Sequence, residues 1–519
     1  MAMRRATVLA LGAGLYACSS AAPIGPAIPG AVPAPIDATW SDPAEYRIER
    51  ATEKEGEAIF ERTGIGDPYR TGLPYPIFLA LLEMHPELLG ATPQALADRF
   101  GFTSRRVAPE SADRDEREGL PLGLHLTDDP NTRVPFLVHN CALCHSAVVR
   151  WPGGEKLVVG LGNRRIRVHA FEDALAKIAV APDFDKEAVA PVAARLAQDR
   201  GIAWPSEYRG TIVSQTIRGV KERYASRAAL LERVRDGLPG RVATIESFAV
   251  ALGQLLHRDV ETSPTIGWAR IPDTVGYAQK RTLSWDGGSE GPSDALVVDA
   301  DIAAGARVEW LYKHPLQGAS LSTFLRHVPR DLRFPGAIDA RLAARGKPIF
   351  ERACAKCHGT YEEDGRAKSY VEKIVPLDYV DTDPARALAV TDSFVAAAND
   401  PKLVVGGMRL VTTRRTMGYV PPVLTNIWAR APYGHAGQWP SLAVLATKPS
   451  QRPSRFVIRG EAPLDLERVG VVTADPGTPL GSGDYVQDGN VDGFRVGGHP
   501  FIADLGDDSK AVVEYLKAL

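Results

Sequence analysis

Two segments of the chain carry apolar residues at the three- and four-residue steps that place side chains on one face of a helix. The first segment, 243–256, has its apolar face at Ile245, Phe248, Leu252 and Leu255. The second, 507–519, follows an Asp-rich start that suits a helix N-terminus, and its apolar face is Val512, Tyr515, Leu516 and Leu519. No strand-rich region stands out. The pattern predicts a mainly α fold with extensive loops.

A short repeat marks two further predicted helices. GEAIFER, residues 56–62, and GKPIFER, residues 346–352, are identical at five of seven positions. The simplest explanation is a duplicated module in which each copy begins with this helix. The alternative is a chance match between two amphipathic helices.

The segment 1–17 carries two arginines and then a short apolar run, which is the layout of a secretory signal and is too short to span a membrane. The run ends at Leu15-Tyr16-Ala17-Cys18, which resembles the lipobox of bacterial lipoproteins. The resemblance implies that Cys18 is lipidated and anchors the protein at the periplasmic face of the bacterial envelope, in the outer membrane. A periplasmic or secreted protein that loses Cys18 with its signal is the alternative. Residues 18–45 are predicted to be a Pro- and Ala-rich tether.

Composition limits the class of protein. The 519 residues are 45% apolar and 24% charged, as in soluble globular proteins, and a chain of this length favours two domains. Lys and Arg together number 61 against 63 Asp and Glu, which leaves no basic excess to bind nucleic acid. The 48 glycines and 40 prolines predict much irregular backbone.

Four of the five cysteines form two pairs, and each pair is directly followed by a histidine: Cys141, Cys144 and His145, and then Cys354, Cys357 and His358. Disulfides or a four-cysteine zinc site would use the sulfurs but not the histidines. Histidine makes up only 11 of 519 residues, so its position after both pairs is unexpected by chance. Covalent haem uses every one of these groups, because two thiols add to the porphyrin and the imidazole binds its iron. The sequence predicts two covalently bound haem c groups.

The repeat fits two haem modules. Phe350 lies about one helical turn before Cys354, whereas a long insertion separates Phe60 from Cys141 in the first copy. We expect each Phe to pack beside a haem, and the helices at 243–256 and 507–519 to cross the opening helices and clamp it. The insertion either forms a wall over the haem face or serves domain packing. The predicted architecture is two cytochrome c-like haem domains in tandem, with a signal peptide at 1–17, a tether at 18–45, an N-terminal haem domain at 46–260, an interdomain segment at 261–335 and a C-terminal haem domain at 336–519.

Three further stretches resemble a known family. GYVPPVLTNIWARAPYGHAGQWPSL (418–442) is similar to a segment of bacterial di-haem cytochrome c peroxidases and MauG-type enzymes. GGHPFIADLGDDSKAVVEYLKAL (497–519) and TGLPYPIFLAL (71–81) resemble the rubber-oxygenase-like branch of that superfamily. The resemblance implies that the C-terminal haem iron has a second protein ligand. His499 matches the histidine expected near the C-terminus in that branch, and Met417 and His435 are the alternatives.

The resemblance also implies that the N-terminal haem keeps a position open for O2 or H2O2. Five histidines are alternative ligands that would close it: His125, His169, His257, His314 and His327. Trp285, in a turn-rich loop between the modules, is the candidate catalytic residue, as an electron relay or a pocket wall, with core packing as the alternative. Arg164, Arg165 and Arg167 are candidates to pair with haem propionates.

These observations favour an exported oxidoreductase in which the N-terminal haem reacts with O2 or peroxide and the six-coordinate C-terminal haem relays electrons. Its expected partners are an electron donor or acceptor protein and, by resemblance to rubber oxygenases, an apolar alkene substrate. The alternative is a periplasmic electron-transfer cytochrome without catalytic activity, in which both irons have two protein ligands.

Overall fold

The computed structural model describes residues 52–519 apart from 67, 106–112, 236, 292–295, 298–299, 301–314, 329–331 and 404–410. The predicted signal peptide, Cys18 and the tether lie outside the described residues, as does His314. In the part of the chain that is described, no helix is long and apolar enough to cross a membrane.

Helix accounts for 43% of the structure and strand for 14%, so helix predominates less than a mainly α fold implies. The α-helices of the described residues are α1 (Glu53–Arg62), α2 (Pro68–Thr71), α3 (Tyr75–Met84), α4 (Pro86–Leu89), α5 (Pro93–Phe100), α6 (Arg114–Arg117), α7 (Val168–Ala179), α8 (Lys186–Asp199), α9 (Ser206–Val234), α10 (Thr244–Leu256), α11 (Pro315–Leu325), α12 (Ala340–Ala353), α13 (Ala355–His358), α14 (Leu377–Val380), α15 (Ala385–Leu388), α16 (Asp392–Ala398), α17 (Leu442–Leu445) and α18 (Ser509–Lys517).

The strands are short and form several small antiparallel sheets. They are β1 (Leu73–Pro74), β2 (Leu124–Asp128), β3 (Pro135–His139), β4 (Ser146–Trp151), β5 (Gly154–Val159), β6 (Arg241–Val242), β7 (Ala269–Arg270), β8 (Thr282–Leu283), β9 (Ser289–Glu290), β10 (Thr360–Tyr361), β11 (Ala367–Ser369), β12 (Val375–Pro376), β13 (Thr412–Thr413), β14 (Gly418–Tyr419), β15 (Arg455–Ile458), β16 (Thr473–Ala474) and β17 (Tyr485–Asp488). The sheet β1-β3-β2 ends directly before the first cysteine pair, and the hairpin β4-β5 begins directly after His145.

The repeated helices make the same kind of helix crossing. In α1, Phe60 packs on Phe324 of α11 with ring centroids 5.4 Å apart, and in α12, Phe350 packs on Tyr515 of α18 at 5.3 Å. The glycine one helical turn before each Phe allows the close approach: a Cβ on Gly56 would lie 2.0 Å from the Ser320 carbonyl oxygen, and one on Gly346 would lie 1.9 Å from that of Ala511. In each crossing, the residue whose carbonyl oxygen is approached lies one helical turn before the aromatic partner: Ser320 before Phe324, and Ala511 before Tyr515. The repeat is therefore also a structural repeat.

One predicted helix packs elsewhere than expected. Residues 507–519 do form a helix that crosses the opening helix of the second repeat, since α18 packs across α12 as predicted. The two halves of the chain that begin with α1 and α12 are called the first and the second unit. Residues 243–256 do form α10, but α10 packs on α9 and α16, with Phe248 and Phe394 6.4 Å apart, rather than on α1. The helix that crosses α1 is α11, which lies in the predicted interdomain segment. Apolar periodicity identified a buried face of α10 but carried no information on which helix covers it.

The insertion before the first cysteine pair mostly serves domain packing. Its helix α3 lies against α8, and β1 lies against α9, so the insertion and the helices after β5 build one apolar core. Two residues of the insertion, Ile65 and Asn140, also line the cavity beside the first cysteine pair.

Candidate haem sites

The first cysteine pair opens onto a cavity of about 1300 Å³. Cys141 begins a 3₁₀ helix, Cys141–Leu143, that starts as β3 ends, and the turn brings both cysteines and His145 to one wall. Phe60 of α1 lines this cavity, as do Leu321 and Leu325 of α11. The crossing of α1 and α11 therefore forms part of the pocket into which the predicted haem would be attached.

His145 is held in the tautomer that an iron ligand needs. Its Nδ1 lies 2.9 Å from the Pro272 carbonyl oxygen, which can only accept a hydrogen bond, so Nδ1 carries the proton and Nε2 is left to bind metal. Burial lowers the pKa of His145, which keeps the ring neutral.

The second cysteine pair lies at the junction of α12 and α13 and opens onto a cavity of about 1260 Å³. Phe350 of α12 lines it, as do Val512 and Leu516 of α18. His358 Nδ1 donates to the Pro422 carbonyl oxygen at 2.8 Å, and burial lowers the pKa of this histidine also. Both histidines therefore present the same nitrogen to their cavities.

A second structural repeat, formed by the segments 271–290 and 421–440, lines both cavities. Each segment runs from the proline that accepts the histidine hydrogen bond, through a 3₁₀ helix, to a tight turn. Positive φ angles recur at equivalent positions, namely Gly276 and Asn426, Ser284 and Gly434, and Gly287 and Gly437. Seven equivalent pairs face the two cavities: 272 and 422, 274 and 424, 277 and 427, 280 and 430, 283 and 433, 284 and 434, and 285 and 435. The two cavities are thus lined at equivalent positions of the two repeated segments.

His499 faces His358 across the second cavity. Their ring centroids are 6.2 Å apart, and His499 is half-buried, with its Nδ1 atom buried and lacking a hydrogen-bond partner among the described residues. Burial, together with His358 and Arg452, lowers the pKa of His499 to about 3, so its ring is neutral.

The two alternative ligands are placed differently. Met417 is 42% exposed and is not among the residues that line the second cavity. His435 does line it, but its ring stacks on Tyr419 at 4.3 Å and its Nε2 lies 3.4 Å from the tyrosine hydroxyl. Burial, followed by Arg386, lowers the pKa of His435 to about 3.

Four of the histidines proposed to close the first site lie within the described residues, and none of them lines its cavity. His125 bonds Asp115 at 2.6 Å, and His169 bonds Glu172 at 3.1 Å. His327 lies near Glu53 on the surface, and His257 caps the C-terminus of α10. Among the described lining residues, His145 is the only histidine and there is no methionine.

Trp285 belongs to both cavities. The two share a wall made of Trp285, Val420, Pro421, Pro422 and Arg430. Trp285 Nε1 donates to the Arg270 carbonyl oxygen at 3.0 Å, and the Arg270 guanidinium lies 5.6 Å from the centre of its ring. By the equivalence of the two repeated segments, Trp285 occupies the position that His435 holds in the second unit.

The cations beside the cavities differ from those predicted. Arg164, Arg165 and Arg167 line neither haem cavity, and Arg165 pairs instead with Glu461. Sequence reasoning missed Arg270 and Arg430, which share Asp273 at 3.4 and 2.8 Å. Burial opposes ionisation of Asp273, but these two arginines outweigh it and lower its pKa. Because Arg430 lies far along the chain from Asp273, the sequence offered no local signal for the group.

The geometry does not support one zinc site for the four cysteines. The two pairs line different cavities, and no group of three or more His, Cys, Asp or Glu side chains among the described residues could hold a metal ion. Burial, together with Cys357, raises the pKa of Cys354 to about 11.

Comparison with known proteins supports a cytochrome. Residues 418–457 match the family described as RoxA-like, cytochrome c-like, which implies a covalently bound haem c and a haem-based redox role. The match covers one such segment, in the second unit, whereas the sequence predicted two domains. It includes the proline, 3₁₀ helix and turn that line the second cavity.

Two curated relatives come from Sinorhizobium fredii (strain NBRC 101917 / NGR234). The uncharacterized protein y4iM is 30% identical over 176 residues, in a match that covers 29% of this chain and 38% of the relative. The uncharacterized protein y4iJ is 23% identical over 242 residues, in a match that covers 36% of this chain and 40% of the relative. The chain thus spans about two fifths of the length of each.

Proposed function

We propose that this protein is an exported di-haem c-type cytochrome oxidoreductase, in which the N-terminal haem reacts with O2 or H2O2 and the C-terminal haem relays electrons. The observation that carries the proposal is the equivalence of the two cavities. Each contains a Cys-x-x-Cys-His sequence, a histidine whose Nδ1 donates to a proline carbonyl, and the same seven lining positions. A fold that prepares two such pockets is suited to two haem groups.

The two pockets differ on the side opposite the cysteine-linked histidine. The distance of 6.2 Å between the ring centroids of His499 and His358 supports His499 as the second ligand of the C-terminal iron, which would then resemble an electron-transfer site. The described residues of the N-terminal cavity include no histidine or methionine besides His145. This difference favours an open position at the N-terminal haem, where the iron would supply the redox chemistry of oxygen or peroxide activation.

The protein's own residues position and separate the two sites. Trp285 is part of the wall that the two cavities share, which suits an electron relay between the haems. Arg270 and Arg430 carry one more positive charge than Asp273 neutralises, which suits the haem carboxylates. Leu283, Leu321 and Leu325 make the N-terminal cavity largely apolar and suit an alkene substrate.

The localisation also belongs to the proposal. The charged and apolar start of the chain and Cys18 support export and a lipid anchor at the periplasmic face of the envelope. An electron donor or acceptor protein would meet the second haem from the same compartment.

Carbon monoxide binding to the reduced protein tests the proposed function. One open haem predicts that one equivalent binds and that the ferric protein shows one high-spin and one low-spin signal. If neither haem binds carbon monoxide or reacts with peroxide, the protein is an electron carrier and the enzymatic proposal is wrong.

A further inference from the structure

The loop 496–499, which carries His499, has a shape that its own backbone does not favour. His499 has a φ angle of +45°, in the left-handed region that side chains other than glycine rarely adopt. Gly498 has a φ angle of +75°, and a Cβ there would lie 2.2 Å from the Asp381 carbonyl oxygen. Such backbone angles persist only where surrounding residues enforce them. Contacts from outside the loop must therefore keep His499 in place.

Arg452 supplies several of these contacts, although it does not line the second cavity. The five N–H donors of its guanidinium bond five different backbone carbonyl oxygens. Three of these belong to the loop, namely Val496 at 3.1 Å, Gly498 at 2.6 Å and His499 at 3.1 Å. The other two are at the C-terminal end of α17, namely Leu445 at 3.1 Å and Thr447 at 3.0 Å. Arg452 thus joins the loop to α17.

Trp439 contacts both Arg452 and His499. The centre of its ring lies 5.5 Å from the guanidinium and 5.9 Å from the centre of the histidine ring. Its Nε1 donates to the Val496 carbonyl oxygen at 2.8 Å, beside the bond that Arg452 makes to the same oxygen. Arg452 and Trp439 therefore fix both the backbone and the ring of His499.

Arg452 is a buried cation without an acidic partner. Only 5% of its surface is exposed, and no carboxylate among the described residues pairs with it. Burial lowers the pKa of Arg452 to about 10, so the guanidinium carries its charge at neutral pH. A buried charge is costly unless hydrogen bonds stabilise it, and here only backbone carbonyls do so. Lysine would keep the charge, but its three donors on one atom could not reach all five carbonyls.

We propose that Arg452 is a positioning residue of the second proposed haem site, which holds His499 where its ring faces His358. The inference rests on the proposed function, in which His499 is the second iron ligand. It goes further, because it assigns the placement of that ligand to a side chain that does not line the cavity. Without Arg452 the loop loses three hydrogen bonds, and His499 is no longer confined to the position opposite His358.

Absorption and electron paramagnetic resonance spectra of the haem-loaded full-length protein test this role. In Arg452→Gln the ratio of high-spin to low-spin second haem should rise about tenfold or more, because each lost hydrogen bond has a charged donor. Carbon monoxide should then also bind the second haem, while the first haem keeps its spectrum. Arg452→Lys should show a smaller change of the same kind. Arg455→Gln, an exposed arginine of β15, is the matched control and should resemble the unmodified protein.

Hydrogen exchange measured by mass spectrometry gives a readout that does not depend on the haem spectrum. The peptide that covers 496–502 should exchange about tenfold faster in Arg452→Gln than in the unmodified protein or in Arg455→Gln. Gly498→Ala displaces the same loop without removing the charge, because the added Cβ meets the Asp381 carbonyl oxygen. This variant should also gain high-spin second haem.

The inference is wrong if Arg452→Gln has a lower thermal midpoint but keeps a low-spin second haem, or if its loop exchanges as slowly as that of the unmodified protein. If Arg452→Gln does not fold, Arg452→Lys and Gly498→Ala decide, and a low-spin second haem in both overturns the inference. A low-spin second haem in His499→Ala would show instead that the proposed ligand is wrong, and the role of Arg452 would fall with it.

Discussion

The rings of His358 and His499 face each other across the second cavity with their centroids 6.2 Å apart. Two metal–nitrogen bonds of about 2 Å, plus roughly 1 Å from each nitrogen to its ring centre, span about 6 Å. His358 and His499 are therefore spaced so that both imidazoles could bind one metal ion between them. Loss of solvent around each ring lowers the pKa of both histidines, which keeps them neutral and able to bind a metal.

Replacing His499 with Ala should open the second haem. The variant is expected to gain a high-spin ferric signal and a second equivalent of bound carbon monoxide, because the iron loses one of its two imidazoles. Absorption and electron paramagnetic resonance spectra measure both changes. Met417→Leu is the control and should leave the spectra unchanged, since Met417 does not line the cavity. A His499→Ala protein with an unchanged low-spin second haem would exclude this ligand.

Replacing Trp285 with Phe should slow electron transfer between the haems and leave their number and ligands unchanged. The expected decrease in rate is tenfold or more if the indole ring relays the electron. Flash reduction followed by transient absorption measures the rate. Trp151→Phe is the control, because Trp151 lines neither haem cavity. If electron transfer between the haems is equally fast in the two variants, Trp285 is a packing residue and not an electron relay.

Adding a methyl group at either helix crossing should destabilise the protein. Gly56→Ala and Gly346→Ala each force a backbone carbonyl oxygen away, and overpacking of this kind costs about 1–3 kcal/mol. Urea unfolding measures the change. Gly477→Ala, where an added Cβ meets no atom within 4 Å, should change stability by no more than about 0.5 kcal/mol. If all three variants are equally stable, the two crossings are looser than described.

Glu172, which is buried and accepts a hydrogen bond from Arg227 at 2.9 Å, should make the protein sensitive to acid. Burial opposes ionisation of Glu172, but Arg227 and His169 outweigh it and lower its pKa from the ordinary value of 4.5 to about 2. The unfolded chain therefore takes up a proton at a higher pH than the folded chain does. The associated stability is present above pH 4.5 and is lost as pH falls toward 2, by about 3 kcal/mol in full.

Urea midpoints between pH 6 and pH 3 measure this loss. Glu172→Gln should be less stable at pH 6, because it leaves Arg227 buried without its carboxylate, and should depend less on pH. Glu222→Gln, an exposed glutamate of α9, should follow the unmodified protein. Parallel pH profiles for all three proteins would contradict the assignment.

The sequence predicted the parts of the sites that are local in the chain. The cysteine pairs with their histidines are short continuous motifs, and the segments 56–62 and 346–352 are identical at five of seven positions. The prolines that accept from His145 and His358 lie far along the chain from them, and no pattern joins them. The repeat of 271–290 in 421–440 is shared in backbone angles but hardly in sequence: its two identities are proline at 272 and 422 and glycine at 287 and 437.

The strands were missed because they show little alternation of polar and apolar residues. Strand β3 is buried at every one of its positions, so it shows no alternation of polar and apolar residues. Many of the others are too short for any periodicity to be read. Helix α10 was recognised by its own apolar face, but its packing partner α16 lies far along the chain, where periodicity gives no information.

The mass of the denatured protein tests the central proposal most directly, because thioether-linked haem stays on the chain after unfolding. The unmodified protein should show a mass excess of two haem groups. The double variants Cys141→Ser/Cys144→Ser and Cys354→Ser/Cys357→Ser should each carry one haem. An unmodified chain that carries a single haem, or none, would contradict the central proposal.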